Sequence, residues 1–183
     1  MNEIIINEIT PGLRETLVQN KWFSDIESNW KLGYGKGPDG VIGITEAISS
    51  FKEAMVHSGE EGFYSLGIYH LSEPVGFVNA RDLGDTLKTV ELFLFISPDN
   101  RGKGYGTIAL DTILERIFKD KKIYRVQGSA LSINKEAIKF FRSRGFTQEG
   151  IRKSAYWMGM NCFDVVPLRI LRSSWERKEN GDE

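Results

Sequence analysis

The chain has 183 residues, enough for one domain with a large buried core, and its 40% hydrophobic and 27% charged residues are the ordinary mix of a soluble globular fold. Lys and Arg number 24 against 25 Asp and Glu, so no excess of positive charge exists to hold nucleic acid or an anionic membrane, and neither partner is expected. The single cysteine, Cys162, excludes an intramolecular disulfide and a cysteine-built metal site, and His57 and His70 are too few for a multi-histidine centre.

Residues 3–9 (EIIINEI) read as a first strand closed by Thr10-Pro11-Gly12. The run Ile4-Ile5-Ile6 is too short for a secretory signal core, and no stretch approaches the ~18 apolar residues of a membrane span. A cytoplasmic location is therefore the expectation. Residues 13–31 read as helix and hold Trp22, Phe23 and Trp30. The Gly-rich loop 33–40, with Tyr34, has no helix signal right after it, which suits a flap better than a phosphate cradle. A second helical stretch, Thr45–His57, puts Ile48, Phe51, Met55 and Val56 near one face.

A hairpin follows, Phe63–Leu71 and Val75–Ala80 around a turn at Ser72-Glu73-Pro74. In Lys88–Ser97 both faces are apolar, so the strand reads as buried and its one carboxylate, Glu91, needs a partner or a job. Residues 104–119 form a helix with the stripe Leu110, Ile113, Leu114 and Ile117. Tyr124–Leu131 is a strand, and Asn134–Arg144 a helix stopped by Gly145. Strands near 146–157 and 162–171 end the fold, and 176–183 reads as a frayed charged tail beyond a single domain of residues 1–175. The order gives a mixed central β-sheet covered by helices, an α/β fold.

The stretch that carries chemistry runs from Glu91 through Arg101-Gly102-Lys103-Gly104-Tyr105-Gly106-Thr107 into the 104–119 helix. A strand leading through glycines into a helix N-terminus makes an anion site: amides without intrahelical partners meet the positive end of the helix dipole. Glycines let the backbone approach a phosphate, and Arg101 and Lys103 add full charges. A Walker loop would need Gly-Lys-Ser/Thr where Gly104-Tyr105-Gly106-Thr107 stands. A dinucleotide fingerprint belongs at a first strand in a run of parallel βα units, whereas this loop follows a hairpin.

From Ile96 to Gly106 the sequence resembles the pyrophosphate-binding motif of the GNAT superfamily of N-acetyltransferases. Asn134-Lys-Glu-Ala137, followed by Phe140, Phe141 and Gly145-Phe146, resembles that superfamily's second motif. Glu149-Gly150-x-Arg152 and Gly159-x-x-x-x-Asp164 resemble the RimJ/RimL-like subgroup, which acetylates ribosomal-protein N-termini and small amines. The resemblance spans residues 60–175 and implies a sheet splayed at its fourth and fifth strands. It further implies acetyl-CoA as acyl donor, with the CoA pyrophosphate on the amides of 101–106. The pantetheine arm would run along Phe93, Leu94, Phe95 and Ile96, with Asn134 near the thioester. An amine would attack the thioester directly, through an oxyanion held by backbone N–H. An acceptor pocket built from Trp22, Phe23, Trp30 and Tyr34, and pairing of sheet edges into a homodimer, are also implied.

Many members carry a Tyr four residues before the glycine of the second motif, where this chain has Phe141. Either another residue protonates the leaving thiolate, with Tyr156 and then Ser132 the candidates, or a thiol of ordinary pKa about 8.5 leaves unaided. The third reading is a scaffold that binds acyl-CoA without turnover. Glu91 has two readings: general base, or a structural carboxylate paired with Arg or Lys across the sheet. Asn134 likewise reads as a CoA contact, as a helix N-cap, or as both. For the aromatics at 22, 23, 30 and 34, core packing competes with an acceptor pocket. A lysine-like amine of pKa about 10.4 is neutral in ~1 molecule per 2,500 at pH 7, an α-amine of pKa about 8 in ~1 per 10, so a site thin in acid/base groups suits α-amines or amino sugars better than polyamines.

Overall fold

The computed structural model describes residues 4–18, 62–84, 86–158 and 161–179. Strand β1 (Ile4–Asn7) is followed by helix α1 (Pro11–Val18), then β2 (Phe63–His70), β3 (Glu73–Asp82) and β4 (Thr89–Ile96). Helix α2 (Tyr105–Lys119), β5 (Arg125–Leu131), α3 (Lys135–Ser143), β6 (Thr147–Gln148), β7 (Arg152–Met158), β8 (Asn161–Leu171) and α4 (Arg172–Glu179) complete it. The strands form one mixed sheet in the order β1-β2-β3-β4-β5-β8-β6, with β7 also on β8. The expected helix Thr45–His57, the 33–40 loop and the aromatics Trp22, Phe23, Trp30 and Tyr34 lie outside the described residues.

Helix α2 covers the centre of the sheet. Leu110, Ile113, Leu114 and Ile117 are all buried, at 0–1% exposure, against Val78, Ala80, Val90, Leu92 and Val126. Each such side chain contributes about 1.5–3 kcal/mol through burial, so this stripe is what seats α2 on the sheet. Its C-terminal end is closed by Arg172, 8% exposed, whose guanidinium donates to the carbonyls of Phe118, Asp120 and Ile123. Those carbonyls sit at the negative end of the helix dipole, where a cation is favoured.

Four local expectations are corrected. Thr10-Pro11 does not close a strand but starts a helix. Thr10 Oγ1 accepts the Leu13 N–H at 3.3 Å as an N-cap, and Pro11 stands at the first helical position, where its missing N–H has no cost. The hairpin turns at Leu71 and Ser72, both with positive φ (50° and 68°), so Glu73 and Pro74 already belong to β3. The single strand expected over 146–157 is broken into β6 and β7. The break falls opposite Pro167, whose carbonyl accepts the Glu149 N–H but whose nitrogen has no hydrogen for the neighbouring strand. The charged tail expected to fray from Glu176 is helical to Glu179, because Arg172 is anchored as above and Trp175 packs on Phe118 with ring centroids 5.2 Å apart.

Candidate active site

Parallel β4 and β5 share only three register pairs, Thr89–Arg125, Val90–Val126 and Glu91–Gln127. Beyond them β4 stays paired to β3 as far as Ile96–Gly76, and β5 stays paired to β8 as far as Leu131–Val165. Each strand keeps its outer neighbour, so the sheet opens between them. Gly128 stands at the fork: a Cβ there would lie 3.0 Å from the Leu92 carbonyl oxygen. With Leu92 facing β5, strand alternation turns the Leu94 N–H and C=O to the same side, into the opening. A cleft of about 160 Å³ occupies the gap, lined by Phe93, Leu94, Ser129, Asn134, Phe141 and Tyr156 among others.

At the outer end of β4 lies the N-terminus of α2. Ser97 is buried, takes its N–H to Val75 O at 2.9 Å and accepts from Asn100 Nδ2 at 2.9 Å, which pins the loop to the sheet. Gly102 and Gly104 adopt φ of 75° and 85°, a region costly for other residues, and a Cβ on either would meet nothing within 4 Å. No side chain of the described residues caps α2. Thr107 and Ile108 both donate to the Gly104 carbonyl, which leaves the N–H groups of Tyr105 and Gly106 at the open end without an acceptor among the described residues. Ile96 packs beside Gly106, 3.7 Å from where its Cβ would be, and lies two residues, ~7 Å, along the strand from Leu94. The open helix end and the cleft are thus consecutive along one strand.

The loop residues divide by role. The Tyr105 ring is 3% exposed, packed with Ile68, Val75 and Ala109 and 5.4 Å from His70, so only its amide faces outward. Thr107 gives its N–H to Gly104, so that amide is not open like those of Tyr105 and Gly106. Arg101 is exposed with Nε on the Ile96 carbonyl at 3.1 Å, and Lys103 reaches Asn100 Oδ1 at 2.9 Å. Both guanidinium and ammonium therefore stay beside the glycines they flank.

The catalytic candidates also separate. Tyr156 lines the cleft, and burial raises its phenol pKa, so the hydroxyl keeps its proton throughout the neutral range. Asn134 lines it too, while its Oδ1 caps α3 by accepting the Ala137 N–H at 3.1 Å, the N-cap expected of it. Ser132 is not among the lining residues; its N–H is tied to the Asp164 carbonyl. Ser129, which belongs to no motif in the sequence, lines the cleft instead. Its only signal was position, next to the glycine at the fork. Glu91 does not line the cleft either. Half exposed at the last paired register position, it binds Arg81 across the sheet at 3.1 Å, which is the structural alternative foreseen for it.

Phe141 lines the cleft and packs edge-on against Phe146, centroids 5.1 Å apart. The helix ends with Phe146 N–H on Phe141 O and Gly145 N–H on Arg142 O, Gly145 having φ 92°. This is a Schellman motif, and the Phe141–Phe146 contact is its hydrophobic clasp.

Comparison with known proteins agrees with this geometry. The acetyltransferase (GNAT) family matches residues 30–146, and the chain belongs to that family. An N-acetyltransferase 9-like protein of Schizosaccharomyces pombe is 38% identical over 90 residues, 46% of this chain and 38% of the relative. Spermidine N(1)-acetyltransferase of Vibrio cholerae is 21% identical over 101 residues, 55% of this chain and 58% of the relative. The matches thus span about four to six tenths of these relatives' lengths. Ribosomal L7/L12 α-N-protein acetyltransferase, solved with coenzyme A, superimposes with a TM-score of 0.72 at 16% identity, over 93% of this chain and 95% of the other. At that identity the likeness is one of fold.

Proposed function

We propose that the chain is an acetyl-CoA-dependent N-acetyltransferase that moves an acetyl group to the primary amine of a small molecule or a peptide N-terminus. The observation that carries this reading is the opening between β4 and β5 lying in line with the uncapped start of α2. The amides of Tyr105 and Gly106, with the open space over Gly102 and Gly104, suit a diphosphate. The Leu94 N–H and C=O offer a pantetheine amide the ladder bonds that β5 does not make. CoA in that position supplies a thioester carbon for the amine; the chain's own groups orient it, exclude water and manage protons.

Attack forms the new C–N bond, the C–S bond breaks, the nitrogen sheds a proton and the thiolate gains one. Of the two hydroxyls that line the cleft, on Tyr156 and Ser129, the phenol of Tyr156 is the more acidic, and Phe141 has none. A phenol above its ordinary pKa of 10.0 is a weaker acid than a thiol of about 8.5. Its part is therefore to hydrogen-bond developing negative charge on sulfur until solvent completes the transfer. No carboxylate is among the described residues that line the cleft, so little there can deprotonate a strongly basic amine. This favours acceptors of lower pKa, α-amines and amino sugars, over polyamines.

Thiol release from acetyl-CoA with a panel of alanine- and serine-ending peptides, glucosamine and spermidine tests the reading. Turnover with at least one amine is expected, and Tyr156→Phe is expected to lower kcat by about 10- to 100-fold with KM for acetyl-CoA little changed. CoA binding without turnover across the whole panel would overturn it in favour of a binding protein.

A further inference from the structure

Strand β7 is not regular where it approaches the cleft. Its register with β8 runs Met158–Asn161, Trp157–Cys162 and Tyr156–Phe163, then jumps to Arg152–Val165. Lys153, Ser154 and Ala155 therefore stand against one residue, Asp164. In a ladder continued unbroken from Arg152–Val165, Ser154, not Tyr156, would face Phe163. With the bulge between them, Arg152 keeps Val165 while Tyr156 takes the place opposite Phe163 and lines the cleft with Val165.

A bulge of this kind has to be held. Ser154 has φ of 50°, a conformation that costs a serine about 1–2 kcal/mol and persists only where its surroundings over-determine it. The Asp164 carboxylate supplies that: Oδ1 accepts the Ser154 N–H at 2.9 Å and Oδ2 accepts Lys153 Nζ at 2.8 Å. The Lys153 hydrogen bond, then the Ser154 amide, hold this carboxyl below its ordinary value of 3.8, so it is ionised at neutral pH. The Asp164 carbonyl in turn accepts the Ser132 N–H at 2.9 Å, two residues before Asn134. Since the Lys153 side chain is 75% exposed, the ion pair adds little stability, and the contacts serve geometry.

We propose that Asp164 is a positioning residue for acetyl transfer, its carboxylate closing the β7 bulge that delivers Tyr156 to the cleft and its carbonyl tethering the turn that delivers Asn134. The role rests on the proposed part of Tyr156 at the leaving sulfur. It distinguishes Asp164 from an ordinary surface ion pair, because a single residue joins the two segments that carry the cleft's polar groups.

The test is NMR of the full chain with ring-labelled tyrosine, the Tyr156 signal assigned by Tyr156→Phe and buried Tyr69 serving as the fold control. Addition of CoA is expected to displace the wild-type Tyr156 signal. In Asp164→Ala that displacement should shrink about threefold or more while Tyr69 is unmoved and CoA still binds. Asp164→Asn, which keeps an acceptor for the Ser154 N–H, should restore most of it. Where Asp164→Ala does not fold, Asp164→Ser carries the test, its hydroxyl being too short to hold both partners. An unchanged Tyr156 displacement in the variant overturns the positioning role alone. A wild-type Tyr156 signal indifferent to CoA overturns the reading of the cleft, and the role with it.

Discussion

Phe141 and Glu91 show that a residue singled out in the sequence can have a structural task in the fold. Phe141 has no hydroxyl to lend to the cleft it lines, yet its ring clasps Phe146 and ends α3, a packing task that a benzyl group does as well as a phenol. Glu91 stood out in an apolar strand as a carboxylate in need of a role. Its strand is not buried on both faces there: Val90 and Leu92 are inside, while Glu91 is half exposed and held by Arg81 at 3.1 Å. Exposed pairs of this kind contribute about 1 kcal/mol or less. Glu91→Gln is therefore expected to change turnover by about twofold or less and to leave the pH–rate profile in place, the rate rising with pH as the amine deprotonates. A profile that loses its acid limb in the variant would return Glu91 to the mechanism. The candidate-site residues legible in the sequence were the loop glycines and the capping Asn134, set by backbone chemistry, and Phe93, Leu94, Phe141 and Tyr156, which line the cleft. Ser129 and the partner of Glu91 were not legible, because they depend on which strands become neighbours.

The elements were read where periodicity was strong and misread where a single backbone group decided. Helix α2 follows its stripe, and the hairpin is where alternation put it. The break between β6 and β7 turns on a missing proline hydrogen in β8, which no local pattern in 146–157 reveals. The same corner holds Glu149, which joins three strands by accepting from Arg125 of β5 (2.5–2.7 Å) and Arg169 of β8 (3.1 Å) just after β6. The Arg125 hydrogen bond, the largest cause, holds the Glu149 carboxyl below its ordinary value of 4.5. A carboxyl more acidic in the folded than in the unfolded chain contributes stability that is fully present above 4.5 and is lost as pH falls through the folded-state value. Urea unfolding from pH 7 down to about 3 should show Glu149→Gln less stable than wild type at neutral pH and the gap closing on acidification. A gap independent of pH would mean that the ion-pair network does not set the acid limb.

At the scale of the molecule, the sheet is a device for opening one gap. Antiparallel partners hold β4 and β5 from outside, three register pairs hold them to each other at one end, and Gly128 marks where they part. The helix N-terminus that continues from β4 then faces the open end. Fold class was legible from the succession of strands and helices, and the opening between the fourth and fifth strands from the family resemblance. The acceptor side was less so, resting on aromatics at 22, 23, 30 and 34 whose packing and binding readings look alike in sequence. Calorimetric titration of CoA into wild type and Gly104→Asn tests the central claim most directly. Asparagine tolerates the positive φ of that position, and its side chain would enter the space proposed for the diphosphate. The account predicts that wild type binds CoA, and that the variant melts within about 2 °C of it but binds about tenfold or more weakly. Equal affinity in the two proteins would contradict it.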